Sequence, residues 1–483
     1  MTLDLESRAR RAVQQAGFET DFPAAQNEMQ EARQKLESST RSDEVRDTRD
    51  WLWSSIDNDT SRDLDQVEVA QRLPNGDIRV QIGIADVDEL VPQGSPLDER
   101  AARNTVSVYT GVETFPMLPR QLSEDLTSLL PDEDRLAIVV AFSVQADGAL
   151  RDIEIFRAII RNHAKLIYEE VGAWLDDASS TRIAELEEVA GLREQITLQN
   201  EAAVRLQGAR ERAGALDLES LEVTPVMQNG RVVELRTQRK NAARRIIENF
   251  MVCSNMAMAQ FLPDHGRSSL ARVVRQPERW PRIREIAANV GDSLPEEADP
   301  RALSSFLERR KKAAPDDYAQ LSLSVVKLLG PGTYELVRPN DHEGHFGLGA
   351  ARYTHSTAPN RRYPDLITQR LIKAALTNQP APYSDDELAS IAERCNERES
   401  AAQKVERLMR KVAAAALFGD RIGQVFRGVV TGSSAKGVWV RVLDPPVEGR
   451  VVRGEEGLDV GEQVRVRLLD TDIERGFIDF ARA

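Results

Sequence analysis

Ser55 to Gln66 contains four aspartates, Asp57, Asp59, Asp63 and Asp65. Crowded carboxylates repel one another unless positive charge sits among them. Their oxygens suit a hard cation, Mg²⁺ or Mn²⁺. Two such ions can clamp the attacking water and the leaving oxygen of a phosphodiester. Asp63 and Asp65 are two apart, so an extended backbone points them the same way. Two other readings compete. One is a solvated acidic turn. The other is a calcium loop, with Asp57, Asp59, Ser61 and Glu68 at positions one, three, five and twelve of an EF-hand. Arg62 occupies the sixth position, where that loop needs glycine, and strands rather than a helix follow.

The elements that would position this cluster are legible around it. Val67–Leu73 and Ile78–Ile84 are rich in β-branched residues and flank Pro74-Asn75-Gly76-Asp77, a strong hairpin signal. Further strands are expected at 137–144 and 150–160. From about 164 to 415 helical periodicity dominates, notably at 181–212, 241–261, 302–313, 364–377 and 385–417. Before the cluster, 4–16 reads as a helix with Leu5, Ala9, Ala12 and Val13 on one face. A second helix fits 23–38, with Pro23 in its first turn. Polar residues 38–50 read as a linker. After 421, short strands alternate with Gly, Pro, Ser and Asp turns. About five strands in about sixty residues suit a small closed barrel such as the OB fold. The expected class is α+β in three parts: a helical module at 1–48, a large domain at 49–418 and a barrel at 419–483.

The chain has 483 residues, 41% of them hydrophobic, enough for a packed core. No apolar run reaches the roughly 18 residues that span a membrane, so no membrane partner is expected. The N-terminus lacks the apolar block of a signal peptide. Two cysteines, Cys253 and Cys395, exclude a disulfide framework and a zinc cluster and fit a reducing cytoplasm. The net charge of −14 argues against broad phosphate binding. Arg231 to Arg245 and Arg309 to Lys312 are local basic runs that read either as a channel or as solvated helix faces. His345 and His355 read as structural, because no HxxxH spacing accompanies them. Trp439 and Phe426 read equally well as base-stacking groups or as barrel filling.

The stretch 55–65 resembles the catalytic domain of the RNB family, the nuclease core of ribonuclease II and of the exosome's hydrolytic subunit. The likeness continues in order along roughly 350 residues. It includes Ile84-Ala85-Asp86-Val87, Gly94-Ser95-Pro96-Leu97-Asp98, Pro116-Met117-Leu118-Pro119-Arg120 and Ala164-Lys165-Leu166-Ile167-Tyr168. Gly214-Ala215-Leu216, Arg245 to Met251, His345 to Gly349 and Pro359 to Asp365 follow. The tail resembles the RNA-binding OB domain that ends these enzymes. The resemblance implies a magnesium-dependent (or manganese-dependent), processive 3′-to-5′ exoribonuclease that is monomeric and degrades single-stranded RNA to nucleoside 5′-monophosphates with metal-activated water. It assigns Asp57, Asp63 and Asp65 to the metal and its water, and Arg361 to the scissile phosphate. Tyr109 would stack on the 3′-terminal base, and Tyr168 and Glu248 would contact RNA sugars.

The sequence also departs from the family. The motif usually ends in two adjacent aspartates, but here Gln66 follows Asp65. Its amide can offer a carbonyl oxygen to the metal but no charge. That keeps a second function in play, an RNA-binding protein with an impaired nuclease centre. Ala358-Pro359-Asn360 replaces the usual Ser-Pro-Ile, and Asn249 replaces a second glutamate. Relatives carry two cold-shock barrels where this sequence has about fifty residues, which implies a shorter funnel and closer approach to duplex RNA.

Overall fold

A computed structural model describes residues 4–22, 26–39, 45–177, 179, 181–219, 222–228, 230–238, 240–434 and 437–483. The fold is α+β. Strands Trp53–Asp57, Gln66–Arg72, Ile78–Ala85, Asp134–Val144 and Leu150–Ile167 build the central sheet, with Arg46–Asp47 at one edge. The two strands around Asn75-Gly76 pair antiparallel in unbroken register from Gln66↔Ile84 to Arg72↔Ile78, and Gly76 takes φ +86°. The long strand Leu150–Ile167 pairs antiparallel with Asp134–Val144 along its first part and parallel with Trp53–Asp57 along its last. The pairings therefore return to their starting strand. Ile78, Val80, Ile82, Ile84 and residues 137–142 are buried, which marks a sheet covered on both faces.

Helices Leu192–Ala213, Ala242–Asp264 and Tyr363–Leu376 belong to the layer around this sheet. The expected helix at 181–212 is two helices, Ala184–Glu188 and Leu192–Ala213, because Gly191 between them has φ +84°. The expected strand 150–160 continues to Ile167. Two antiparallel ribbons interrupt the stretch read as helical, Glu222–Gln228 with Arg231–Gln238 and Ser269–Val273 with Thr333–Val337. Helices Pro96–Asn104, Tyr168–Asp176, Trp280–Asn289 and Pro315–Leu329 add to those expected.

Near the N-terminus, Leu5–Gln15 is helical, capped by the Asp4 carboxylate, and buries Leu5, Ala9, Ala12 and Val13. The second helix is Gln26–Ser39; Pro23 and residues 40–44 of the expected linker lie outside the described residues. The tail is a closed five-stranded barrel, Val425–Ser434, Gly437–Leu443, Pro446–Arg453, Phe477–Arg482 and Gln463–Asp472 in spatial order. The helix Asp385–Phe418 joins the large domain to it. Phe418 meets Phe426 at 5.1 Å between ring centroids, and Phe426 meets Phe480 at 6.5 Å, so Phe426 is a packing residue. Gly476, at φ +69°, lies so close to the helix that a Cβ would stand 2.9 Å from the Val412 backbone nitrogen.

Candidate active site

Strand Trp53–Asp57 delivers Asp57 at its end, where the Asp57 Oδ1 accepts from the Asn58 backbone and the Ser61 hydroxyl, both at 2.7 Å. The loop 58–65 then returns the chain to strand Gln66–Arg72. Lys165 fixes this loop by donating to the carbonyls of Asp59 (2.8 Å) and Ser61 (2.7 Å). An ammonium thus occupies the loop's carbonyls, and Glu68, the would-be twelfth calcium ligand, lies inside a strand. The segment therefore does not form an EF-hand loop.

Asp65 is 2% exposed. Its Oδ1 accepts from the Asn360 backbone at 3.1 Å, and its Oδ2 from the Arg361 Nε at 3.3 Å. Burial pushes its carboxyl up to about 7 despite the pull of Arg361, and the Asp63 charge adds to the rise. Burial likewise raises Asp63, again against Arg361. Burial would pull Arg361 down, but Tyr109, Asp65, Asp63 and Asp57 hold it above its ordinary value. Its side chain is 47% exposed, so the guanidinium pairs with a buried acid while still facing open space. Arg362 pairs instead with the fully buried Asp365 at 2.7 Å.

Hydrogen bonds carry these distant segments together. Ser107 N donates to the Arg361 carbonyl, and Tyr363 N to that of Thr105. Asp365, in the first turn of Tyr363–Leu376, accepts from Ala358 N at 2.8 Å and so braces the loop 358–362. The Thr127 hydroxyl donates to the Asn360 Oδ1 at 2.6 Å. The same stitching presents Tyr109, whose hydroxyl donates to the Asp63 Oδ2 at 3.3 Å and whose backbone donates to Glu406. Tyr109 remains 39% exposed. The turn after it needs Gly111 (φ +79°), because a Cβ there would lie 2.7 Å from Pro225 on the neighbouring ribbon.

Tyr168 follows Ile167, which pairs with Asp57. Arg244 covers one face of its ring at 4.4 Å and also reaches the Asn58 side chain at 3.3 Å. The Tyr168 hydroxyl, raised above its ordinary value first by burial and then by Asp57 and Glu68, lies in the same charged space. Asp57, Asp63, Asp65, Arg361, Tyr109 and Tyr168 therefore form one neighbourhood. Gln66 is buried at the start of its strand beside them. Glu248 is separate. It is exposed on helix Ala242–Asp264, 3.6 Å from Lys240 and 4.0 Å from Arg210, and lines an adjoining cavity of about 370 Å³ with Asp217, Asn241 and Lys311. Asn241 connects the two places by donating to the Tyr168 carbonyl at 2.8 Å.

The basic runs are largely engaged. Arg236 pairs with Glu234, Lys240 and Lys311 with Asp217, Arg244 with Glu169, Arg309 with Asp292, and Lys312 with Glu308. His355 Nδ1 is 2.7 Å from the Tyr334 hydroxyl, and burial lowers both His355 and His345, the latter to about 4. The sequence gives Asp365 no signal beyond its place in Pro359 to Asp365, and Glu68 none beyond the twelfth position of the calcium-loop pattern.

The donors are all oxygens, which suits Mg²⁺ or Mn²⁺. Among the described residues no three acidic, histidine or cysteine side chains already cage an ion. Magnesium commonly takes one or two carboxylates and completes its shell with water and substrate phosphate. The residues fit such an ion, with Asp57, Asp63 and Asp65 as candidate holders.

Residues 45–378 match the RNB domain, and 424–483 match the C-terminal S1 domain of RNase II-type exonucleases. This chain belongs to the RNB family. The ribonuclease R of Thermotoga maritima is 31% identical over 418 residues, covering 84% of this chain and 57% of the relative. Ribonuclease R 1 of Lactococcus lactis is 29% identical over 467 residues, covering 90% of this chain and 56% of the relative. The chain thus spans a little over half the length of these RNB proteins. Among solved structures, the RNase R of Mycoplasma genitalium, in complex with ribose-methylated single-stranded RNA, superposes with a TM-score of 0.88 at 22% identity. That match covers 99% of this chain and 78% of the other, and it shows the shared fold.

Proposed function

We propose that this RNB-family chain is a hydrolytic exoribonuclease that degrades single-stranded RNA processively from its 3′ end and releases nucleoside 5′-monophosphates. The observation that carries this reading is the grip on Asp65. A buried carboxylate held by a guanidinium almost 300 residues away, beside an exposed tyrosine, places acid, cation and stacking surface at one point.

Each group has a role that its setting supports. Tyr109 offers its exposed face to the terminal base, and stacking tolerates any base. Arg361 keeps an open side from which its fork can hold the scissile phosphate and the charge that develops there. Asp63 and Asp65 receive and orient the water's protons. Bound Mg²⁺ or Mn²⁺ supplies charge neutralisation of the phosphate and acidification of water. Tyr168 presents its hydroxyl rather than its covered ring, and with Glu248 it contacts ribose hydroxyls, which separate RNA from DNA. The barrel holds the upstream strand. Arg427 stands directly opposite Arg465 on adjacent strands, with Arg467 two residues on, all exposed. Like charges placed opposite are unfavourable alone and are relieved by a polyanion.

The test is an oligoribonucleotide labelled at its 5′ end, incubated with Mg²⁺ or Mn²⁺. Direct conversion of full-length RNA to a short 5′-labelled end product, with nucleoside 5′-monophosphates recovered by chromatography, supports the enzyme. Stable retention of intact RNA would support the second reading, a binder with an impaired centre, which the neutral and buried Gln66 motivates.

A further inference from the structure

Glu68 is fully buried at the middle of strand Gln66–Arg72, and neither carboxyl oxygen has a hydrogen-bond partner among the described residues. A carboxyl buried in this way is costly, and packing alone would be better served by an apolar side chain. Among the described residues no cation pairs with it. The Ser54 backbone opposite it on strand Trp53–Asp57 carries a buried hydroxyl that is likewise unpartnered. Burial raises the Glu68 carboxyl well above its ordinary value and the Asp57 charge raises it further. Ser54 stands three residues before Asp57, so Glu68 lies beside the strand that delivers Asp57 to the acidic site. It lies two residues from Gln66 in unbroken register, so the two side chains share a strand face.

We propose that Glu68 joins Asp57 as a ligand for a divalent cation and takes over the anionic role that Gln66 cannot fill. This rests on the nuclease reading of the same site. A bound cation would satisfy the orphaned oxygens and neutralise the Asp57–Glu68 repulsion together, which no described protein group does.

The experiment is a Mn²⁺ titration of the full chain without RNA, read by the electron paramagnetic resonance of free Mn²⁺, on wild type, Glu68→Gln, Asp57→Asn and the double variant Glu68→Gln/Gln66→Asp. Glu68→Gln should weaken tight Mn²⁺ binding at least tenfold, as should Asp57→Asn. The double variant should recover to within about threefold of wild type. Melting in EDTA should show Glu68→Gln at least as stable as wild type, because the amide keeps the volume and removes the buried acid. Unchanged Mn²⁺ binding in Glu68→Gln alongside weakened binding in Asp57→Asn would overturn the Glu68 assignment and leave the nuclease reading standing. Unchanged binding in both would overturn the metal reading of the site itself. A fall in EDTA stability on Glu68→Gln would mark a structural role and overturn the proposal.

Discussion

Two groups of acids flank the same end of one hairpin, and the chain treats them in opposite ways. Asp65 precedes the first strand and Asp86 follows the second, with the Ala85 backbone donating to the Asp65 carbonyl between them. Around Asp86, every carboxylate has its cation. Lys373 lies 2.9 Å from Asp86, 3.0 Å from Asp88 and 3.1 Å from Glu89. Arg157 reaches Asp86 and Glu89, and Arg370 joins Asp88 to Asp98. Burial would raise Glu89, but Lys373, Lys35 and Arg157 outweigh it and hold the carboxyl down to about 2. Around Asp65, Arg361 alone does not outweigh burial, and the carboxyl rises to about 7. The first cluster is neutralised within the protein and holds helix Tyr363–Leu376 to the sheet. The second is left short of positive charge, the arrangement expected where a cation and a phosphate must still arrive.

The contrast can be broken most sharply at Asp65. Asp65→Asn should lower hydrolysis by ~10³-fold or more while RNA affinity in a filter-binding assay survives; near-normal turnover would show that the site works without this carboxylate. In the neutralised cluster, Lys373→Met should do the reverse. It should cost about 1.5–3 kcal/mol in urea unfolding by removing the ammonium that Asp86, Asp88 and Glu89 share, with turnover preserved well below the melting temperature. Tyr109→Ala should weaken binding of a short single strand about tenfold, the scale of one lost base stack, and lift the 3′-end preference. The smallest effect is on pH. With its carboxyl raised to about 7 by burial, Asp65 gives up its proton at higher pH in the native protein than in the unfolded chain. Without divalent cation, stability should therefore fall as pH rises from about 4 to about 7 and then level off. In EDTA, wild type should lose roughly 2–4 °C of melting temperature relative to Asp65→Asn over that range; parallel profiles would place the titrating group elsewhere.

Much of this was readable before any coordinates. The Asn75-Gly76 turn, the amphipathic face of Leu5 to Val13, the five tail strands and the acidic run all follow from local patterns that the fold leaves intact. Glu68 was not readable, for a physical reason. Gln-Val-Glu-Val-Ala alternates like a strand with one wet face, yet helix Leu192–Ala213 packs on it and Gln199 donates to the Glu68 carbonyl, so both faces are dry. The arginines and glutamate of 231–238 break the apolar alternation that marks a strand, although Asn229-Gly230 is itself a turn signal. The pairing of Arg361 with Asp65 spans nearly the whole large domain, and no local pattern encodes it. Only the order of the motifs pointed there.

The helix Asp385–Phe418 is a spacer between two parts of the fold. Its 34 residues extend about 50 Å. Glu406 clasps the backbone of Tyr109 on its flank, and Phe418 and the close approach of Gly476 bolt the barrel to its end. On the proposed nuclease reading, the gap between the barrel and the acidic site is a fixed gauge. As a strand shortens below that gauge, it should slip the barrel in a single step and dissociate, so the length of the smallest leftover fragment would be set by the reach of one rigid rod and would be the same for every sequence.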